Sequence, residues 1–258
     1  MTSSSGVTTP RITWRVATVR AVKDETAHTR TIVLDVAGWP GHRAGQHVDV
    51  RLTAEDGYQA QRSYSIASPP EEDLIAITVE QLEDGEVSSY LCGKLRQDDN
   101  IELRGPIGGY FVWSVDDGGP LLLVGGGSGI VPLMAMLRHR AAALSDPQAR
   151  QAVPARLLYS SRSLSDVIFL SELEAMASGD DSLRVVHTIT RDAPADWAGL
   201  RRRIDRAMLE DVAWPPSARP HIFVCGPTAM VEVASSALVA SGHAPERIRT
   251  ERFGPTGS

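Results

Sequence analysis

"PLLLVGGGSGIVPLMAML", residues 120–137, is the most apolar run of the chain, and its reading decides the fold. It approaches the length of a membrane crossing, but Gly125 to Gly129 and Pro132 interrupt it. A buried strand, a glycine turn and a helix account for it better than a membrane does. A strand that turns at once into a helix through glycines brings backbone N–H groups close to an anion at the positive end of the helix. The turn is predicted to cradle a pyrophosphate, lined by Gly125, Gly126, Gly127, Ser128 and Gly129. Gly125, Gly127 and Gly129 fit G-x-G-x-G, yet Ile130 stands where the last glycine of G-x-G-x-x-G belongs. The Lys-Ser/Thr of a P-loop is missing, which counts against an ATPase or GTPase. Glycines of this kind also serve close helix–strand packing.

Outward from this stretch the pattern differs on its two sides. After residue 119 strands and helices alternate: "ARLLYSS" leads to "DVIFLSELEAMA", "LRVVHTIT" to "RIDRAMLEDVA", "HIFVCGP" to "AMVEVASSALVASG", and "RIRTERF" closes the series. This predicts a doubly wound α/β domain with a mainly parallel sheet over 119–258, whose ligand sits at the carboxyl ends of the strands. Before residue 115, short β-branched stretches separated by turn residues predict an antiparallel β-barrel or sandwich over 11–115. One helix interrupts it, "EDGEVSSYLCGKL", with Ser88 or Ser89 as N-cap. "GGPLL" at 118–122 reads as the linker between two domains, and residues 1–10 as a disordered tail.

Composition limits the function. Hydrophobic residues at 42% and charged residues at 22% describe an ordinary globular protein. A net charge of −6 argues against nucleic acid as a partner. Cys92 and Cys225 are the only cysteines, too few for a disulfide framework, an iron–sulfur cluster or a cysteine-based zinc site. They point to a reducing, cytoplasmic setting, and the N-terminus has no apolar core that would make it a secretory signal. Arg201, Arg202, Arg203 and Arg206 form the one basic cluster, read either as a solvated helix face or as a docking patch for an acidic protein.

"QRSYSIASP", residues 61–69, puts a guanidinium, an aromatic ring and a hydroxyl at a strand end. Period-two geometry sends Arg62 and Tyr64 to one face and Ser63 and Ser65 to the other, unless a bulge brings Ser65 round. A large planar ligand with a phosphate tail would use all three groups; a polar strand end with a buried tyrosine is the alternative.

In their order along the chain, "RSYS" at 62–65, "GEVSSYL" at 85–91, "GGGSGIVP" at 125–132 and "CGP" at 225–227, with Glu251 and Phe253 near the end, resemble the ferredoxin–NAD(P)⁺ reductase family of flavoproteins. The likeness runs from about Ile12 to Phe253 and is strongest to the reductase components that feed oxygenases, here without their iron–sulfur domain. It implies a flavin on the barrel: Arg62 on its pyrophosphate, Tyr64 on the isoalloxazine, Ser65 near N5, and Gly85, Val87 and Ser88 or Ser89 at the phosphates. FAD is implied over FMN, although Gln81 replaces a basic residue that family members often carry.

In the second domain the resemblance implies that Gly125 to Gly129 take the pyrophosphate of a nicotinamide dinucleotide. Cys225 would lie near the nicotinamide, with Gly226 and Pro227 turning the chain away from it. Glu251 would relay a proton or orient that ring, and Phe253 would cover the second flavin face. Each has a plainer reading as well: a small buried thiol, an exposed acid, a core aromatic. Ser161 and Arg162 follow the second strand with no acid at its end, which favours NADPH over NADH, though Ser163 and Asp166 also read as a helix cap. The implied activity is hydride transfer from NAD(P)H to flavin, then single electrons to a separate ferredoxin, flavodoxin or oxygenase component. The same fold also serves flavin-binding electron-transfer subunits and reductases of free flavin or of haem proteins.

Overall fold

The computed structural model describes residues 12–145 and 153–254, so the tail expected over residues 1–10 lies outside the described residues. The first half forms β1 (Trp14–Thr26), β2 (Thr29–Val36), β3 (His47–Thr53), β4 (Gln59–Ser65), β5 (Ile75–Glu80), α1 (Glu86–Gly93) and β6 (Asn100–Ile107). The strands make one six-stranded sheet in the order β4-β3-β6-β1-β2-β5, and its pairs are antiparallel. Its two outer strands meet where Ile66 bridges Ile77 and the Ala67 N–H donates to Ala76 O at 2.7 Å, closing the barrel. Alternate residues fill the interior: Ala17, Val19, Ile32, Leu34, Val48, Val50, Ile77 and Leu103 are fully buried, with Val87 and Leu91 of α1 and Leu95 just after it joining this core.

The second half runs β7 (Leu121–Gly126), α2 (Ile130–Leu144), β8 (Ala155–Ser163), α3 (Leu170–Gly179), β9 (Leu183–Asp192), α4 (Arg206–Val212), β10 (His221–Pro227), α5 (Thr228–Ala240) and β11 (Ile248–Phe253). All four pairings of the five-stranded sheet are parallel, in the order β11-β10-β7-β8-β9. The chain reverses its direction of sheet growth between β7 and β10, so a crevice opens at the carboxyl ends of these two strands. Every residue of β7 is buried, because helices cover both faces. In α2 every residue from Ile130 to Leu137 is buried, which is why residues 120–137 look apolar on all sides. Among the described residues no helix is long and apolar enough to cross a membrane.

Three sequence expectations change. The helix α1 begins at Gly85, not at Ser88 or Ser89, since both hydroxyls turn back onto the preceding turn. Arg201, Arg202 and Arg203 precede α4, whose N-cap Asp205 accepts from the Met208 N–H at 2.9 Å, so the basic cluster is not a helix face. The strands of the barrel end at Ile107; Phe111 and Trp113 pack into the core of the second domain against α2, because their rings find more apolar surface there than on the barrel.

The same segment ties the halves together. The Tyr110 hydroxyl donates to Ile248 O at 3.2 Å and Arg249 donates to Val112 O at 2.5 Å, strapping this segment to β11. From α2, Arg138 donates to Ala67 O at 2.7 Å and His139 pairs with Glu71 at 2.5 Å.

Candidate functional site

The glycine turn is fixed by close approach. A Cβ on Gly129 would lie 2.2 Å from Cys225 O and 2.8 Å from Gly226 N, so the turn presses directly on the end of β10. Gly127 takes φ +55°, a conformation that glycine adopts without strain. Tyr159, fully buried on β8, donates its hydroxyl to Gly127 O at 3.1 Å and accepts the Ile168 N–H at 3.3 Å. Nothing in the sequence pattern marked Tyr159, yet it clamps the turn to the connection after β8.

Beside the turn, Cys225 and Glu251 are register partners on β10 and β11, and Phe253 pairs with Pro227. Cys225 is buried; burial, and next to it the Glu251 carboxylate, hold its thiol well above the ordinary range and so uncharged. Burial likewise raises the Glu251 carboxyl from 4.5 to about 7. Folding then favours its protonated form, so stability is lost as pH rises from about 4.5 to about 7. Glu251→Gln cannot ionise; above pH 7 it is expected to exceed the parent in stability by up to about 3 kcal/mol and to show no gain near pH 4.5, read by urea unfolding of the cofactor-free protein.

On the barrel, Tyr64 sits opposite Val48 on the inner face, half-buried against the core, and burial raises its phenol. Among the described residues its hydroxyl has no partner. Arg62 is exposed and donates only to Gln61 O at 2.7 Å, with no carboxylate partner among the described residues. Ser65 pairs with His47 on the opposite face, without a bulge, so its side chain and Tyr64 do not share a face. At α1, the Ser88 hydroxyl accepts the Leu82 N–H at 3.1 Å and donates to Gly85 O at 3.2 Å; Ser89 donates to Leu82 O at 3.4 Å. Both serines are spent on the turn, leaving the first-turn backbone N–H groups of α1, Val87 among them, as the donors open to a phosphate. A Cβ on Gly85 would meet Ser88 Oγ at 2.2 Å and Leu82 Cβ at 3.0 Å, so a larger residue there would displace the Ser88 hydroxyl from the turn.

Between the two halves lies a cleft of about 570 Å³. Gly126, Gly127, Ser161, Arg162, Arg191 and Arg203 form one wall, and Thr26, His28, Glu80 and Gln81 of the barrel form the other. Arg162, Arg191 and Arg203 are exposed and lack carboxylate partners among the described residues. Ser161 is buried, and its hydroxyl has no partner. Asp166 is engaged as a cap, accepting from the Ser163 hydroxyl at 2.7 Å and the Ser163 N–H at 3.1 Å. Arg203 reaches the cleft because Arg201 folds the loop before it, donating to the carbonyls of Pro194, Ala195 and Trp197. Ser161 and Arg162 are legible in the sequence, whereas Arg191 and Arg203 are not: the first lies just past the apolar run of β9, and the second belongs to a basic cluster that reads equally as a helix face or a docking patch.

A closed antiparallel barrel joined to a doubly wound sheet, with a glycine turn and unpaired guanidiniums at their junction, defines a two-domain protein built to hold phosphorylated cofactors. Residues 17–112 match the oxidoreductase FAD-binding domain family and residues 123–236 the oxidoreductase NAD-binding domain family. The aromatic O-demethylase reductase subunit of an Amycolatopsis strain is 31% identical over 260 residues, spanning 98% of this chain and 73% of that protein. The glycine betaine monooxygenase reductase subunit of Pseudomonas aeruginosa is 33% identical over 218 residues, 83% of this chain, while the match spans 57% of the relative's length. Among solved structures, an Amycolatopsis cytochrome P450 reductase superposes with a TM-score of 0.80 at 29% identity over 99% of this chain and 74% of that one. The chain belongs to the ferredoxin reductase-type family of FAD- and NAD-binding oxidoreductases.

Proposed function

We propose that the protein is a reductase that takes hydride from NADPH onto FAD and delivers electrons to a separate carrier, a ferredoxin or an oxygenase component. The observation that carries this reading is the junction itself: Tyr64 and Arg62 on the barrel, and the glycine turn with Cys225, Glu251 and Phe253 at the carboxyl ends of the parallel strands. Bound flavin supplies two-electron uptake and one-electron release, chemistry no side chain here provides. The residues present fit it: a free guanidinium for the pyrophosphate, a half-buried ring with an unpartnered hydroxyl, and a glycine-tight helix start with unused N–H groups.

In this reading Arg62 pairs with the flavin pyrophosphate and Tyr64 packs on the ring system. Ser65 sits on the other face of β4 and works through its backbone at the strand end. Ser88 and Ser89 shape the turn while the N–H groups after Gly85 meet phosphate. Gly125 to Gly129, with Ser128, hold the dinucleotide pyrophosphate. Cys225 is a small uncharged contact for the nicotinamide, Gly226 and Pro227 turn the chain clear of it, Glu251 orients that ring, and Phe253 covers the flavin until nicotinamide enters. Hydride transfer is then a matter of positioning.

Support for NADPH comes from Arg162, Arg191 and Arg203 around the orphaned Ser161 hydroxyl, with Asp166, the acid that follows β8, engaged as a cap. Arg203→Ala and Arg162→Ala are each expected to raise the KM for NADPH about tenfold and to leave that for NADH within about twofold, in line with a charge-assisted hydrogen bond to phosphate. Equal effects on both nucleotides in steady-state kinetics would remove the 2′-phosphate assignment. The relatives' names, reductase subunits of monooxygenase systems, support an oxygenase component as the acceptor.

A further inference from the structure

The wall of the cleft contributed by the barrel is a hairpin turn beside Glu80 and Gln81 at the end of β5. Thr26 and Thr29, at the facing ends of β1 and β2, and His28 between them border the cleft across from Ser161, Arg162, Arg191 and Arg203. The turn is held firmly. The Gln81 N–H donates to His28 O at 2.8 Å, and the His28 N–H donates to Thr26 Oγ1 at 3.2 Å. Thr29 is buried. What remains is the His28 ring, exposed and without a hydrogen-bond partner among the described residues. Beside the Glu80 carboxylate, a fixed backbone thus presents a ring with two nitrogens to a cleft whose far wall carries guanidiniums without carboxylate partners among the described residues.

We infer that His28 is a positioning contact for the adenosine-phosphate end of the nicotinamide dinucleotide, so that this substrate is held from both domains at once. The inference rests on the NADPH reading above. A ring nitrogen donates to phosphate or ribose oxygen from the side opposite Arg162 and Arg203, which fixes the nucleotide in the direction that the arginines leave open. A dinucleotide gripped in this way bridges the barrel to the α/β domain.

The hairpin also borders a second cavity of about 460 Å³, lined by Asp24, Glu25, Arg30, Gln81 and Cys92. A flavin adenylate is therefore the competing occupant, and the test must separate the two. In the purified flavin-loaded protein, calorimetric titration with 2′,5′-ADP is compared for the parent, His28→Ala and His28→Gln, together with the flavin-to-protein ratio and the melting temperature. The expected result is a Kd about five- to tenfold higher in His28→Ala, the worth of one hydrogen bond, and partly restored in His28→Gln. Flavin content and melting temperature stay unchanged. An unaltered Kd overturns the inference, as does loss of flavin at unaltered Kd, which would assign the hairpin to the flavin adenylate. A parent that fails to bind 2′,5′-ADP overturns the NADPH reading and this inference with it.

Discussion

Gly129→Ala is expected to abolish tight nicotinamide-dinucleotide binding and to destabilise the fold by about 3 kcal/mol, the upper end for overpacking. The reason is purely steric. Gly129 has φ −63° and ψ −10°, which alanine adopts readily, but the added Cβ would sit 2.2 Å from Cys225 O and 2.5 Å from its carbonyl carbon. Both neighbours are backbone, so β10 and the start of α2 must separate, and the anion cradle opens. Two nearby glycines serve as controls. A Cβ on Gly126 meets Met230 Sδ at 2.4 Å, a flexible side chain that can move, so Gly126→Ala should be far milder. Gly127→Ala has open space but φ +55°, for which the cost is about 1 kcal/mol. Urea unfolding and dinucleotide titration of the three variants should give the order Gly129, then Gly127, then Gly126; equal effects would mean that the contact with β10 is not what requires glycine.

Arg62→Ala is expected to weaken flavin retention by about 10- to 100-fold in Kd, corresponding to about 2 kcal/mol of charge-assisted phosphate pairing. Among the described residues the guanidinium hydrogen-bonds only to the Gln61 carbonyl, so its removal leaves no buried group unpaired and should not unfold either domain. Arg62→Lys keeps the charge without the planar fork and should fall between. The flavin-to-protein absorbance ratio after gel filtration reads all three. A full complement in Arg62→Ala would remove the arginine from the flavin site.

The two-domain division was legible because each half has its own period: β-branched runs with turn residues before residue 115, and alternating strands and helices after 119. The glycine turn was legible for the same reason, a strand running into a helix without a spacer. What escaped was set by contacts distant in sequence. The N-cap of α1 falls at Gly85 because Leu82, three residues upstream, competes for both serine hydroxyls. No local pattern singles out Tyr159, whose bond to Gly127 spans 32 residues. Arg203 appeared to continue a basic helix, whereas the bridge from Thr188 to Leu200 and the bond from the Thr188 hydroxyl to Arg202 O keep that segment in a loop, so that Arg203 lines the cleft. The hairpin at His28 belongs to one domain and serves the cleft of the other, a juxtaposition that no local pattern encodes.

The central claim is that Tyr64 and Arg62 hold a flavin which NADPH reduces across the domain junction. Anaerobic absorbance titration of the purified protein, first with NADPH and then with NADH, tests it most directly. The protein is expected to be yellow, with a flavin, released and identified as FAD, that is bleached at low NADPH concentration and only at much higher NADH. A colourless protein that fails to take up added FAD, or a yellow one that neither nucleotide bleaches, would contradict it.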